Sequence, residues 1–160
     1  MTRKLNFITI SDAYPLTRIE DILVGLSKAK YFISQPLLMG YHQISVKEAD
    51  RPKTTFVTHR GLFMFNRMPF VLCNDPAMFQ RLMDSLFKTE IGKELLVYFD
   101  DILIFAETPE ELLAALERTL QILIKAGLKC KPRKCQLFRP FIEYLGYVIS
   151  GEGIAPSPRK

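Results

Sequence analysis

Two adjacent carboxylates, Asp100 and Asp101, interrupt an otherwise apolar run, "LLVYFDDILIFA". Burying two unpaired carboxylates would cost many kcal/mol. A tight turn that carries both to a sheet edge or a cleft avoids that cost, and a cation there can neutralise them. Hard divalent ions such as Mg²⁺ take ligands of this kind, usually one or two carboxylates completed by phosphate oxygens and water. A bare aspartate pair, taken alone, fits a solvated hairpin turn better than a metal site. A second residue bears on the same chemistry. Pro36 stands in the middle of another apolar run, "FISQPLLMGYHQI", where it offers no side-chain oxygen and removes a backbone donor.

The elements that must position these residues alternate between strands and helices. Ile19, Ile22, Leu23 and Leu26 share one face of a short helix. Residues 31–46 read as one or two strands broken near Gly40, and "KTTFVTHRGLFMFNRM" as two strands turning at Arg60-Gly61. Asp75-Pro76 opens a helix with Asp75 as N-cap, and Met78, Phe79, Leu82, Met83 and Leu86 form its apolar stripe. "TPEE" at Thr108–Glu111 is a capping box with proline in the first turn. The helix it starts is expected to bury Leu112, Leu113, Leu116, Leu120, Leu123 and Ile124 and to end at Gly127. "FIEYLGYVIS" reads as a hairpin turning near Gly146. Neighbouring strands close enough for hairpins, mixed with helices, predict an α+β fold with a mostly antiparallel sheet backed by helices.

Composition narrows the classes. Hydrophobic residues make up 48% of the 160, enough for a core, and no apolar run approaches the length of about 20 residues that spans a bilayer. The first residues contain no continuous apolar stretch of the secretory kind, and three cysteines suit a reduced setting, so the expected location is intracellular with no membrane partner. The net charge is +5, and between Arg118 and Ile142 seven basic residues occur with no acid among them. Such a segment fits a solvated face or a phosphate-backbone footprint.

The surrounding residues decide what the aspartates are for. "VYFDDILIFA" is similar to the Y-x-D-D motif of reverse transcriptases. "SKAKYF", "GYHQI", "KTTFVTHRGLFMFNRMPF", "LCNDPAMFQRLMD", "AGLKCKPRKC" and "YLGYVISGEGI" follow in the order and spacing of that family. The chain resembles, over essentially its whole length, the reverse transcriptase of gypsy-type LTR retrotransposon Pol polyproteins. The resemblance implies RNA-directed DNA polymerase chemistry, with two Mg²⁺ or Mn²⁺ ions promoting nucleotidyl transfer on an RNA or DNA template-primer with a dNTP. It implies fingers-like segments at about 1–30 and 45–72, palm-like segments at about 31–44 and 73–140, and a primer-grip-like hairpin at about 141–150. Thumb and RNase H are expected to come from a partner or another polyprotein segment.

Residue by residue, the resemblance makes Asp100 a metal ligand, with Asp101 supporting the metal site and the primer end. Tyr41 falls on the sugar-sensing aromatic, and Phe70 where the family packs a side chain against template and nucleotide. Arg51, Lys53 and Arg60 lie where incoming phosphates pass. Lys134 is near the proton donor to pyrophosphate. Tyr98 and Leu145-Gly146-Tyr147 fall on primer contacts. Two departures stand out. In the family's "S-x-L-D-L-x-S-G-Y-x-Q-I", the aspartate that both ions share aligns with Pro36. In "P-x-G-L-x-N-A-P", read here as "PFVLCNDP", Val71 replaces glycine. Ser34 shares the face of Pro36 but offers only a neutral hydroxyl about 6–7 Å along the strand. Losing a ligand common to both ions is expected to reduce the rate by on the order of 10³ or more. The expectation is therefore an impaired polymerase or, alternatively, an inactive relic that at most binds nucleic acid.

Overall fold

The computed structural model describes residues 2–15, 26, 28–70 and 72–158. Its centre is a four-stranded sheet in the order β4 (Leu95–Tyr98), β5 (Asp101–Ala106), β1 (Tyr31–Pro36), β6 (Gln136–Arg139), with antiparallel neighbours throughout. A separate hairpin pairs β2 (Phe56–Thr58) with β3 (Gly61–Phe63), and a three-stranded meander joins β7 (Phe141–Tyr144), β8 (Tyr147–Ser150) and β9 (Gly153–Pro156). The α-helices among the described residues are α1 (Thr2–Ile8), α2 (Asp75–Leu86) and α3 (Pro109–Ala126). This is the α+β architecture that the alternation of elements predicts.

The apolar runs around the aspartates are continuous because both faces of the sheet are covered. Successive strand residues point to opposite sides. Ile33, Leu95, Val97, Ile102 and Ile104 join one core with Phe79 and Met83 of α2 and Leu112 and Leu123 of α3. Phe32, Leu96, Leu103 and Phe105 join a second core with Ile142, Tyr144 and Ile149 of the meander. The sheet is thus sandwiched between two helices and a small antiparallel layer.

Local chemistry accounts for the element ends. Thr108 accepts from the Glu111 amide while the Glu111 carboxylate takes the Thr108 amide, Pro109 occupies the first turn, and Gly127 closes α3 at φ 70°. Several expectations need correction. Gly40–Gln43 is a 3-10 turn rather than strand, entered through Met39 at φ 50°, so β1 stops at Pro36. The β2–β3 loop is His59-Arg60, because Thr58 pairs with Gly61, whose φ of 122° begins the return strand. Asn74, not Asp75, precedes α2, and Asp75 turns its carboxylate back to accept from the Leu72 amide. Helix α1 was not anticipated. The helix expected across residues 16–26 lies outside the described residues except for Leu26, which is buried.

The inward face of α3 is narrower than its leucine content suggests. Leu112 and Leu123 are buried and Leu116 half-buried, while Leu113 and Ile124 are 57% and 76% exposed and Leu120 is exposed too. The small residues Ala115 and Thr119 take their place against the sheet, with the Thr119 hydroxyl satisfied by the Ala115 carbonyl at 2.8 Å. Close helix–sheet packing selects small side chains at the centre of contact and pushes large ones to the flanks. Leu112→Ala is expected to lower stability by about 2–5 kcal/mol, whereas Leu113→Ala should change it by about 0.5 kcal/mol or less. Urea denaturation of the two variants checks the difference.

Candidate active site

Asp100 lies in the two-residue turn Phe99-Asp100 between β4 and β5, closed by the pair Tyr98–Asp101. Phe99 adopts φ 51°, a left-handed conformation that a bulky residue holds only with external support. The support comes from Gln80 on α2. Its Oε1 accepts from the Phe99 amide at 2.9 Å, and its Nε2 donates to Asp84 Oδ1 at 2.9 Å and to the Val97 carbonyl at 3.3 Å. Asp84 in turn accepts from the Tyr14 hydroxyl at 2.6 Å. A buried amide thus fastens the aspartate turn to the helix beneath it.

Both carboxylates are half-buried and both are shifted toward the protonated form. Burial raises Asp100, offset in part by the Gly40 backbone amide and reinforced by neighbouring Asp101. Burial also raises Asp101, with Lys134 opposing the shift. Asp100 Oδ1 is buried without a hydrogen-bond partner. It approaches Gly40 so closely that a methyl group there would stand 2.6 Å from the oxygen and 2.7 Å from the Phe79 ring. Glycine at 40 is therefore required by the carboxylate, not by its own dihedrals.

Pro36 is the direct cross-strand partner of Asp101. One step further along, the Leu37 amide donates to the Asp100 carbonyl at 2.7 Å. Leu37–Asp100 is accordingly a hydrogen-bonded position, and Pro36–Asp101 a non-hydrogen-bonded one, where facing side chains stand closest. The Pro36 carbonyl accepts from the Lys131 amide at 2.8 Å, so the missing Pro36 donor points toward the Lys131 segment, away from β5. The strand pairing that carries the aspartates is intact despite the proline. Val71, the other departure, lies outside the described residues.

The orphaned Asp100 oxygen beside a second carboxylate suits a hard divalent cation. Two carboxylates can hold one such ion completed by water and phosphate. They do not fit an arrangement with a third shared ligand. Among the described residues no group of three histidines, cysteines or acids is placed to hold a metal. Cys130 and Cys135 are free, and burial raises both thiols.

Of the other expected site residues, Tyr41 and Lys134 lie within electrostatic reach of the two aspartates. Tyr41 is buried, its ring 4.7 Å from Phe70 and 5.1 Å from Phe79, and burial with the nearby Asp100 and Asp75 carboxylates pushes its hydroxyl up to about 12. Lys134, on an exposed 3-10 turn, acts electrostatically on Asp101. Lys53 is tied to Asp50 at 2.6 Å, and Arg51 to the Val46 carbonyl at 3.3 Å and Glu48 at 3.7 Å, whereas Arg60 stands exposed in the β2–β3 loop. Arg118 leaves the basic stripe to clasp Glu94 with two hydrogen bonds. Tyr98 packs edge-on against Phe99. Leu145 and Gly146, at φ 51° and 83°, make the tight turn into Tyr147.

The sequence assigns no site role to Gln80, Gly40, Tyr144 or Asp75. Tyr144 is buried, and its hydroxyl donates to the Asp101 carbonyl at 3.2 Å, linking the β7–β8 hairpin to the aspartate strand. Gln80 had a usable signal, a lone amide among apolar α2 residues one turn from Asp84. Asp75 stands where the aligned motif carries alanine.

The chain matches known proteins over nearly its whole length. Residues 1–149 match the family model described as reverse transcriptase (RNA-dependent DNA polymerase). The chain belongs to the reverse transcriptase family. It is 41% identical over 158 residues to the retrovirus-related Pol polyprotein from transposon opus and 40% identical to that from transposon gypsy, both of Drosophila melanogaster. These alignments cover 99% of this chain but only 16% and 15% of the polyproteins. The fold superposes on the foamy viral protease-reverse transcriptase in complex with double-stranded DNA with a TM-score of 0.90 at 27% identity, over 98% of this chain and 27% of that one. For the same protein in complex with an RNA/DNA hybrid the TM-score is 0.88, over 98% of this chain and 21% of that one. No helix among the described residues of this reverse transcriptase segment is long and apolar enough to cross a membrane.

Asp75 offers a direct electrostatic test. It is only 3% exposed, and burial pushes its carboxyl up to about 6 despite the Leu72 hydrogen bond. A raised folded-state value means the native chain binds this proton more tightly than the unfolded chain. The group therefore favours folding most at low pH, and that contribution is lost as pH rises through about 6. Asp75→Asn should stabilise the protein by about 1–2 kcal/mol at pH 7.5 and flatten this pH dependence. Thermal melts of both proteins between pH 4.5 and 7.5 measure it.

Proposed function

We propose that this chain is the catalytic-core segment of a retrotransposon reverse transcriptase whose polymerase activity is impaired at Pro36. The observation that supports this reading is the register placing Pro36 directly across from Asp101, with no group of three metal-binding side chains among the described residues. In this reading Asp100 and Asp101 hold a divalent ion. When bound, the ion supplies charge neutralisation for the primer 3′-hydroxyl and the triphosphate during nucleotidyl transfer.

The chain's own residues orient the reactants. Tyr41, fixed by Phe70 and Phe79, presents its ring edge to the nucleotide sugar and excludes bulk at the 2′ position. Lys134, near Asp101, faces the leaving phosphates as a proton donor. Arg51, Lys53 and Arg60 serve incoming phosphates, the first two on release from Glu48 and Asp50. Tyr98 and the Leu145–Tyr147 turn hold the primer end, with Tyr144 fixing their distance from Asp101. Residues 1–30 and 45–72 act as fingers and 31–44 and 73–140 as palm, with template-primer following the basic surface from Lys125 to Arg139. Thumb and RNase H come from a partner or from another segment of the polyprotein. The second reading, an inactive relic that binds nucleic acid, is favoured by the same Pro36.

Restoring the ligand distinguishes the two. Pro36→Asp should raise Mg²⁺-dependent primer extension by on the order of 10³ and abolish it again when combined with Asp100→Ala. Millimolar Mg²⁺ should also raise the melting temperature of Pro36→Asp more than that of the parent. No gain in extension, with the folded state intact, would favour the relic.

A further inference from the structure

Cys130 and Cys135 flank the 3-10 turn Pro132–Lys134. Cys130 bridges Leu37 in antiparallel register, and Gln136 pairs with Ser34. Directly paired residues share a face of the sheet, and successive residues alternate. Cys130 therefore takes the face of Leu37, and it packs against the same helix-side core. Cys135 is extended, at φ −64° and ψ 133°, and directly precedes Gln136. It thus takes the face opposite Gln136, which is again that of Gln35 and Leu37. Measured along β1, the two cysteines stand two residues apart, roughly 7 Å between α-carbons, at the upper end of the span a disulfide covers. The chain between them bulges out as the turn, the Lys134 amide donating to the Lys131 carbonyl at 2.9 Å. The Cys135 thiol donates to the same carbonyl at 3.5 Å, which aims it back toward Cys130.

Gln35 belongs to the same cluster. It is 4% exposed, at a position where the resembled motif carries leucine. Its side chain hydrogen-bonds the Cys130 sulfur, while its Oε1 is buried without a partner among the described residues. A half-satisfied buried amide costs free energy that leucine would avoid, and its contact here is with a thiol. Cys130 and Cys135 are free and partly exposed, open to a small oxidant. Burial makes each a slow nucleophile, so pairing rests on proximity and not on activation.

We propose that Cys130 and Cys135 form a reversible disulfide on oxidation by a peroxide, closing the segment that carries Lys131 and Lys134. One thiolate attacks the O–O bond of hydrogen peroxide and becomes a sulfenic acid as hydroxide leaves. The second thiolate attacks that sulfur and displaces a second hydroxide. The two thiol protons convert the hydroxides to water, and each sulfur loses one electron. The bridge fixes the turn bearing Lys134, whose charge acts on Asp101, next to Lys131, whose amide donates to the Pro36 carbonyl at 2.8 Å. Oxidation is thereby felt at the edge of the aspartate site.

Treatment of the whole chain with hydrogen peroxide, followed by alkylation and mass spectrometry, tests the bridge. The parent should lose two hydrogens, and peptide mapping should join the peptide carrying Cys130 to the one carrying Cys135. Cys73→Ser should bridge as the parent does, and dithiothreitol should return both thiols. Cys135→Ser should lose the bridge and take up oxygen at Cys130 instead. Limited trypsin should cut after Lys134 more slowly in the bridged chain, and an unchanged rate would overturn the fixing of the turn. Full alkylation of Cys130 and Cys135 after peroxide, in folded Cys73→Ser, would overturn the bridge itself. So would a bond to Cys73 or to a second chain, or oxygen addition at either cysteine of the parent without a bridge. Each outcome is read without primer extension and leaves the polymerase reading untouched.

Discussion

The antiparallel pairing of β1 with β5 is the constraint on which the rest of the molecule depends. It brings residue 36 opposite residue 101, six positions in register from Tyr31–Ala106 to Pro36–Asp101. It also divides the buried side chains between two cores, because each inward residue on one face has a neighbour serving the other. A shift of one residue would exchange the cores and turn the aspartate strand inside out. Register is therefore held by apolar burial far stronger than any single polar contact at the turn.

The polar contacts refine what burial sets in place. Gln80 fixes the strained Phe99, Gly40 admits the Asp100 carboxylate, and Tyr144 ties the meander to Asp101. Each spends buried polar or conformational free energy at one end of the sheet. The unsatisfied Asp100 oxygen and the upward shifts of both aspartates show the same tension. An interior this well packed tolerates such tension locally, as functional sites do.

Features set by local chemistry could be read from the chain. The capping box at Thr108, the aspartate turn and the Leu145-Gly146 turn rest on a few adjacent residues and stand where expected. What resisted reading depends on partners distant in sequence. Leu113 and Ile124 have the same character as Leu112, and only the sheet beneath decides which face α3 buries. Gly40 looked like a strand break, yet its reason is a carboxylate sixty residues later. Asp75 looked like a helix cap and proved to be a buried acid facing its own preceding loop. Pro36 draws notice because the resembled motif carries an aspartate at that position. That the proline leaves the β1–β5 ladder unharmed was not legible, since it depends on which neighbour the missing donor faces.

That orientation has a consequence at the level of the gene. Proline and aspartate codons differ at both their first and second bases, so no single substitution connects them. The intermediates place alanine on one route and histidine on the other. Because the backbone donor at residue 36 faces the Lys131 segment and not β5, any of these can occupy the strand without disturbing the pairing that carries Asp100 and Asp101. The β1–β5 hydrogen-bond ladder erects no barrier along the path in either direction. The β1–β5 pairing alone therefore does not decide which of these residues stands at position 36.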